Sequence, residues 1–193
     1  LYWLFGGAVI DEGGRIGQSL YDALLGYGIK PSHVGRGFFQ VNIRSGDQCL
    51  TGLKFHVSVS PEDLERVTLI VNDLVKRTDV ADIWKVGLNG MDGDQLGKDF
   101  TIYVSQSGYN SRKIQSFLNE LESSLRQNNI RPNGFGSHVT SGDRAVPGSY
   151  YMNYRYDRTN KFGIPDGKYN DDYIFVVPRR EYGGDMMDGI RVR

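Results

Sequence analysis

The sequence predicts an α+β domain: a mostly antiparallel sheet with two long helices on one face and a polar cleft on the other. Three observations carry this reading. Stretches around Val41, Phe55, Ile102 and Asn153 alternate apolar and polar residues with the period of a strand. Two longer stretches, one opening near Pro61 and one near Asn110, each keep a single apolar stripe at helical spacing. Helices are too few for regular βαβ winding.

In chain order, residues 1–14 read as a short strand or arm followed by a Gly-rich turn. Gly17 to Tyr27 sets Leu20, Ala23, Leu24 and Tyr27 on one face of a short helix that Gly28 ends. From Gly37 to Arg44, Phe39, Val41 and Ile43 alternate with Phe38, Gln40, Asn42 and Arg44, which is a strand pattern. In the next strand Phe55, Val57 and Val59 point one way and Lys54, His56 and Ser58 the other.

Ser60-Pro61-Glu62-Asp63 predicts a helix start: Ser as N-cap, Pro at the first position, acids in the first turn. Leu64, Val67, Val71, Leu74 and Val75 form its stripe. A short strand surrounds Trp84, and a Gly/Asp-rich loop covers 89–98. Phe100, Ile102 and Val104 then alternate with Thr101, Tyr103 and Ser105. Asn110-Ser111 cap the second long helix, with Ile114, Phe117, Leu118, Leu121 and Leu125 on one face and Asn128-Asn129 at its end. Residues 131–149 are loop-rich. A strand from Tyr150 to Tyr156 puts Tyr151, Asn153 and Arg155 on one face, and after a turn at 166–172 a last apolar strand runs from Tyr173 to Val177. Residues 1–193 read as one domain, with 178–193 as a flexible tail or an appended segment because it lacks periodicity.

Lys plus Arg number 23, and so do Asp plus Glu, which argues against a chain built to coat nucleic acid or an anionic membrane. No nucleic-acid or membrane partner is expected, and any basic site must be local. One cysteine, Cys49, excludes an internal disulfide and a multi-cysteine zinc site. That fits a cytoplasmic location. The chain opens at Leu1 rather than Met, so a trimmed N-terminus is expected, and its apolar opening is too short for a membrane span. His33, His56 and His138 lack metal-ligand spacing on a helix. No dinucleotide fingerprint, P-loop or nucleophile elbow occurs. No cofactor or metal is expected.

Strand parity gathers a different set. If the helices cover Phe55, Val57, Val59, Phe100, Ile102 and Val104, the opposite face carries Lys54, His56, Thr101 and Tyr103. Lys85 points away from a packed Trp84, Arg44 alternates with Ile43, and Arg155 alternates with Tyr154 and Tyr156. Clustered cations repel, so such a set needs an anion. Guanidinium forks fit phosphate or carboxylate oxygens. The alternative is that some of these cations pair with Asp47, Asp82 or Asp143 and bind nothing. Both readings fit the pattern.

Four motifs then follow in order: Gly52-Leu-Lys-Phe-His-Val-Ser-Val59, Ile83-Trp-Lys-Val86, Gly97-Lys-Asp-Phe-Thr-Ile-Tyr-Val104 and Asn153-Tyr-Arg155. Across about Arg44 to Arg158 the chain resembles the phosphothreonine lyases that some bacteria inject as effectors. It is also similar to the lyase domains and stand-alone lyases of lanthipeptide synthesis. The resemblance implies metal-free β-elimination of phosphate from phosphoserine or phosphothreonine in a peptide, giving dehydroalanine or dehydrobutyrine. It assigns Lys85 as general base, His56 as general acid, and Lys54 as a stabiliser of developing negative charge. Arg44 and Arg155 would bind phosphate with Tyr103 assisting, Lys98 and Arg158 would substitute for missing cations, and Asp143 would orient His56. An amine is mostly protonated at neutral pH, and neighbouring cations and desolvation favour its neutral, basic form. The implied partners are a phosphorylated peptide or protein and a separate Ser/Thr kinase.

The chain also departs from the effector pattern. Ile83 stands where that pattern has Lys, Gly90 to Gly93 offer no Arg, and a second Arg after Asn153-Tyr-Arg155 is missing or replaced. These departures favour a lanthipeptide precursor as substrate. The alternatives are an effector that inactivates host MAP kinases, a non-catalytic phosphopeptide-binding module of the same fold, and a degenerate phosphodiesterase.

Overall fold

The computed structural model describes residues 3–5, 8–10, 15–35, 37–44, 49–87, 97–133, 143–156, 174–175 and 186–193. Its strands are β1 (Trp3–Phe5), β2 (Ala8–Ile10), β3 (His33–Gly35), β4 (Phe38–Asn42), β5 (Cys49–Val57), β6 (Ala81–Gly87), β7 (Phe100–Ser105), β8 (Arg144–Ala145), β9 (Met152–Tyr156) and β10 (Ile174–Phe175). Its helices are α1 (Arg15–Gly26), α2 (Leu64–Thr78) and α3 (Ser111–Gln127). β1 and β2 form their own antiparallel pair. Seven strands lie in the order β3-β4-β6-β7-β5-β9-β8, each antiparallel to its neighbours, and β10 joins the start of β5 in parallel. The α+β architecture is the expected one. No helix among the described residues is long and apolar enough to cross a membrane.

Alternation decides which face meets the helices. Phe39 and Val41 of β4, Trp84 and Val86 of β6, Phe100, Ile102 and Val104 of β7, and Phe55 and Val57 of β5 are all buried in one cluster. The same cluster holds Leu64, Val67, Val71, Leu74 and Val75 of α2, and Ile114, Phe117, Leu118, Leu121 and Leu125 of α3. Ring contacts tie the layers: Phe55 to Phe117 at 6.3 Å and Tyr21 of α1 to Phe39 at 5.2 Å. The helical layer therefore includes α1 beside the two long helices foreseen.

Local chemistry sets the helix ends. Asn110 Oδ1 accepts from the backbone N–H of Arg112 (3.0 Å) and of Lys113 (3.2 Å), which caps α3 as expected. Ser60 does not cap α2. Pro61–Asp63 form a 3-10 turn first, and the Ser60 hydroxyl donates to Glu62 instead of accepting from a backbone N–H.

Residues 186–193 dock on the outside of α3, where a flexible tail was expected. Met186, Met187, Ile190 and Val192 are buried. Gln115 Nε2 donates to the Arg191 carbonyl (2.8 Å), and the Val192 N–H donates to the Pro147 carbonyl (2.8 Å). Gly148 permits this approach: its φ is +84°, and a Cβ there would stand 2.4 Å from the Val192 carbonyl oxygen. Apolar residues spaced too irregularly for a helix or strand still find a groove.

Candidate active site

The sheet face turned away from the helices is read directly from register. One cross-strand row runs Gln40 (β4), Lys85 (β6), Thr101 (β7), His56 (β5) and Asn153 (β9). The next row runs Asn42, Ile83, Tyr103, Lys54 and Arg155. Lys85 and His56 thus stand on strands two apart, about 10 Å at ordinary strand spacing, with the Thr101 strand between them. This face is polar as foreseen, but its side chains are mostly buried rather than solvated. Lys54, His56, Lys98, Thr101, Tyr103, Asp143 and Asn153 are all buried, while Lys85 and Arg155 are half-buried.

Tyr103 binds the two amines together. Lys85 Nζ lies 5.2 Å from its ring centroid and Lys54 Nζ 5.7 Å, both within reach of a cation–π attraction. Asp143 holds the other side. Its position one residue before β8, which pairs with β9, brings its carboxylate between two partners. Oδ2 is 2.7 Å from His56 Nδ1, and Oδ1 is 3.8 Å from an Arg155 nitrogen. A carboxylate on Nδ1 fixes that nitrogen as the protonated one and leaves Nε2 to exchange protons.

Burial lowers the pKa of His56 below the ordinary imidazole value. Asp143 pulls it upward, and the charges of Lys54 and Lys98 push it further down. Asp99, next to Lys98, shows the reverse case: burial raises its carboxyl pKa, against a hydrogen bond from the Val59 N–H at 2.9 Å.

Register therefore brings together Lys54, His56, Lys85, Tyr103 and Arg155, and Asp143 joins them through its ion pairs. Lys98 is buried close enough for its charge to act on His56. Arg44 is not among them. β4 ends at Asn42, so strand parity no longer aims the side chain two residues on. β6 bulges between Ala81 and Ile83, and the exposed Arg44 guanidinium pairs with Asp79, at the end of α2, and with Asp82 (3.5 Å). The alternative of carboxylate pairing describes Arg44. Arg158 and Asp47 lie outside the described residues.

Gln40 and Asn42 also stand on this face, Gln40 Nε2 donating to Asn42 Oδ1 at 2.9 Å. Their alternation with Phe39 and Val41 held the signal, but an uncharged amide seldom marks a site.

No protein-family model and no curated protein matches this chain. Solved structures do. The phosphothreonine lyase effector VirA (SpvC) of Chromobacterium violaceum matches at 26% identity and a TM-score of 0.52, over 65% of this chain and 63% of that one. A point variant of the Salmonella plasmid virulence C protein (SpvC) matches at 21% identity and a TM-score of 0.53, over 67% of this chain and 66% of that one. The type III effector and phosphothreonine lyase OspF of Shigella flexneri matches at 26% identity and a TM-score of 0.49, over 65% of this chain and 67% of that one. The chain is structurally similar to phosphothreonine lyases and shares their fold. The match spans about two thirds of each of those proteins.

Proposed function

We propose that this protein eliminates phosphate from phosphothreonine or phosphoserine in a peptide. The observation that carries the reading is the row Lys85–Thr101–His56, which sets an amine and a carboxylate-held imidazole on one face, two strands apart. A phosphorylated residue lying over Thr101 meets both. The neutral Lys85 amine takes the α-proton, and the C–H electrons become the Cα=Cβ bond. The Cβ–O bond breaks, and His56 gives its Nε2 proton to the departing phosphate oxygen. Lys54 stabilises the enolate-like charge, and Arg155 and Lys98, with Tyr103, hold the phosphate. Asp143 keeps the imidazole in the tautomer this needs. The dehydrated residue and inorganic phosphate leave, and Lys85 and His56 exchange protons with water.

A module that only bound phosphopeptides would have no use for this acid–base pair. The effector setting is the better supported of the two biological contexts, because VirA, at 26% identity, is an effector phosphothreonine lyase. A lanthipeptide precursor finds no such support. With Arg44 paired to Asp79 and Asp82, the described cations left to hold the phosphate are Lys98 and Arg155. Incubation with a phosphothreonine peptide, followed by a thiol, tests the chemistry by mass spectrometry. Loss of phosphoric acid with a new thiol adduct is expected. Return of a free threonine hydroxyl would make the protein a phosphatase and contradict the proposal.

A further inference from the structure

Among the polar-row side chains without a part in the elimination, Asn153 is the one with a buried, unanswered acceptor. Asn153 stands on β9 directly opposite His56, two residues before Arg155 on the same face. It is 2% exposed, and among the described residues its Oδ1 is buried with no hydrogen-bond donor. Such an acceptor is costly and uncommon in a folded chain. The buried oxygens of Glu122 show the ordinary case: they accept from Ser149 Oγ (2.6 Å) and from Arg126 (2.8 Å).

The groups around Asn153 explain what is missing. Lys54, Lys98, Arg155 and a protonated His56 are donors without acceptor capacity. A phosphorylated peptide answers them with phosphoryl and carbonyl oxygens. The donors it brings next to the reacting carbon are its main-chain N–H groups. We propose that Asn153 Oδ1 accepts a substrate main-chain N–H, either that of the phosphorylated residue or that of the residue after it. The bond fixes the peptide across β9 and so turns the α-proton toward Lys85. It makes Asn153 a specificity residue that favours a phosphorylated peptide over inorganic phosphate. The inference rests on the lyase reading for its substrate class.

The test measures binding of a fluorescent phosphothreonine peptide and of two analogues. In each analogue an ester oxygen replaces one of the two candidate N–H groups. Wild type is compared with Asn153→Ala, Asn153→Leu and Asn153→Asp, each verified as folded by its melting transition, and inorganic phosphate is titrated as competitor. One ester is expected to weaken binding to wild type about tenfold. The same ester should weaken Asn153→Ala and Asn153→Leu less than about twofold, while Asn153→Asp, which keeps an acceptor, stays sensitive. Inorganic phosphate should bind Asn153→Ala and wild type equally. Two outcomes would overturn the inference: ester losses equal in wild type and Asn153→Ala, or a loss of phosphate affinity in Asn153→Ala as large as the loss of peptide affinity. Because binding is read, a protein that shows the coupling but no elimination would refute the lyase reading and leave this inference standing.

Discussion

The two faces of the central strands bury their side chains to similar depth by opposite means. On the helical side Phe55, Trp84, Phe100 and Ile102 are fully enclosed by apolar neighbours, and removing that surface from water stabilises the fold. On the other side Lys54, His56, Thr101 and Asn153 are nearly as inaccessible, yet they are polar or charged. Buried charge is costly unless paired, and even a paired set is seldom a net gain over an apolar one. The polar layer therefore costs stability that the apolar layer must supply. Substitutions on the apolar face should break the fold, and those on the polar face should break the chemistry and spare the fold.

The largest effect is expected from Lys85→Ala. Losing the general base should slow elimination about a thousandfold, within the usual range for acid–base groups, as read from initial rates. Phosphopeptide affinity and the melting temperature should hardly move. Full activity in Lys85→Ala would remove it as the base. Phe55→Ala should do the reverse, costing about 3–5 kcal/mol in urea denaturation through the cavity it leaves against Phe117. Lys54→Met sharpens the contrast: its stability should equal or exceed that of wild type while turnover falls. A strongly destabilised Lys54→Met would refute the idea that the polar layer is held at a cost. Arg155→Ala should weaken phosphate binding about tenfold or somewhat more, the scale of a charged hydrogen bond.

Proton linkage separates the faces more gently. The His56 pKa lies below its unfolded value of about 6.5. As pH falls below about 6.5 the unfolded chain gains a proton that the fold resists, so stability present above that value is lost toward the lowered folded pKa. Asp99 runs the other way: its raised pKa favours the fold below about pH 4, a contribution lost as pH rises through the folded value. A phosphate dianion beside His56 should restore the imidazole's proton. Calorimetry of phosphate binding in two buffers of different ionisation enthalpy should show proton uptake, and the uptake should vanish in His56→Asn. The smallest effect belongs to Arg44→Ala. Its exposed ion pairs predict a change under about 1 kcal/mol in stability and under about twofold in turnover.

Parity made the layer legible. Because successive strand residues face opposite ways, Lys54, His56, Lys85, Tyr103 and Arg155 follow from their apolar neighbours alone. Parity failed where pairing stopped: Arg44 lies two residues past the end of β4, beside a bulge in β6. The short strand β3 and the two-residue β8 are too brief for periodicity to register. Asp143 sits in a segment without a pattern, so the resemblance and not parity named it, and the pairing of β8 with β9 carries it to His56. Docking of 186–193 was invisible for the same reason, since contacts between distant segments leave no local period.

In a lyase, phosphate leaves by carbon–oxygen cleavage. Reaction with a phosphothreonine peptide in oxygen-18 water, with mass analysis of the released phosphate, tests it most directly. Elimination carries the former threonine oxygen away on phosphate, so the released phosphate should carry no label. Phosphate bearing one labelled oxygen would mean that water attacked phosphorus, and would contradict the acid–base roles given to Lys85 and His56.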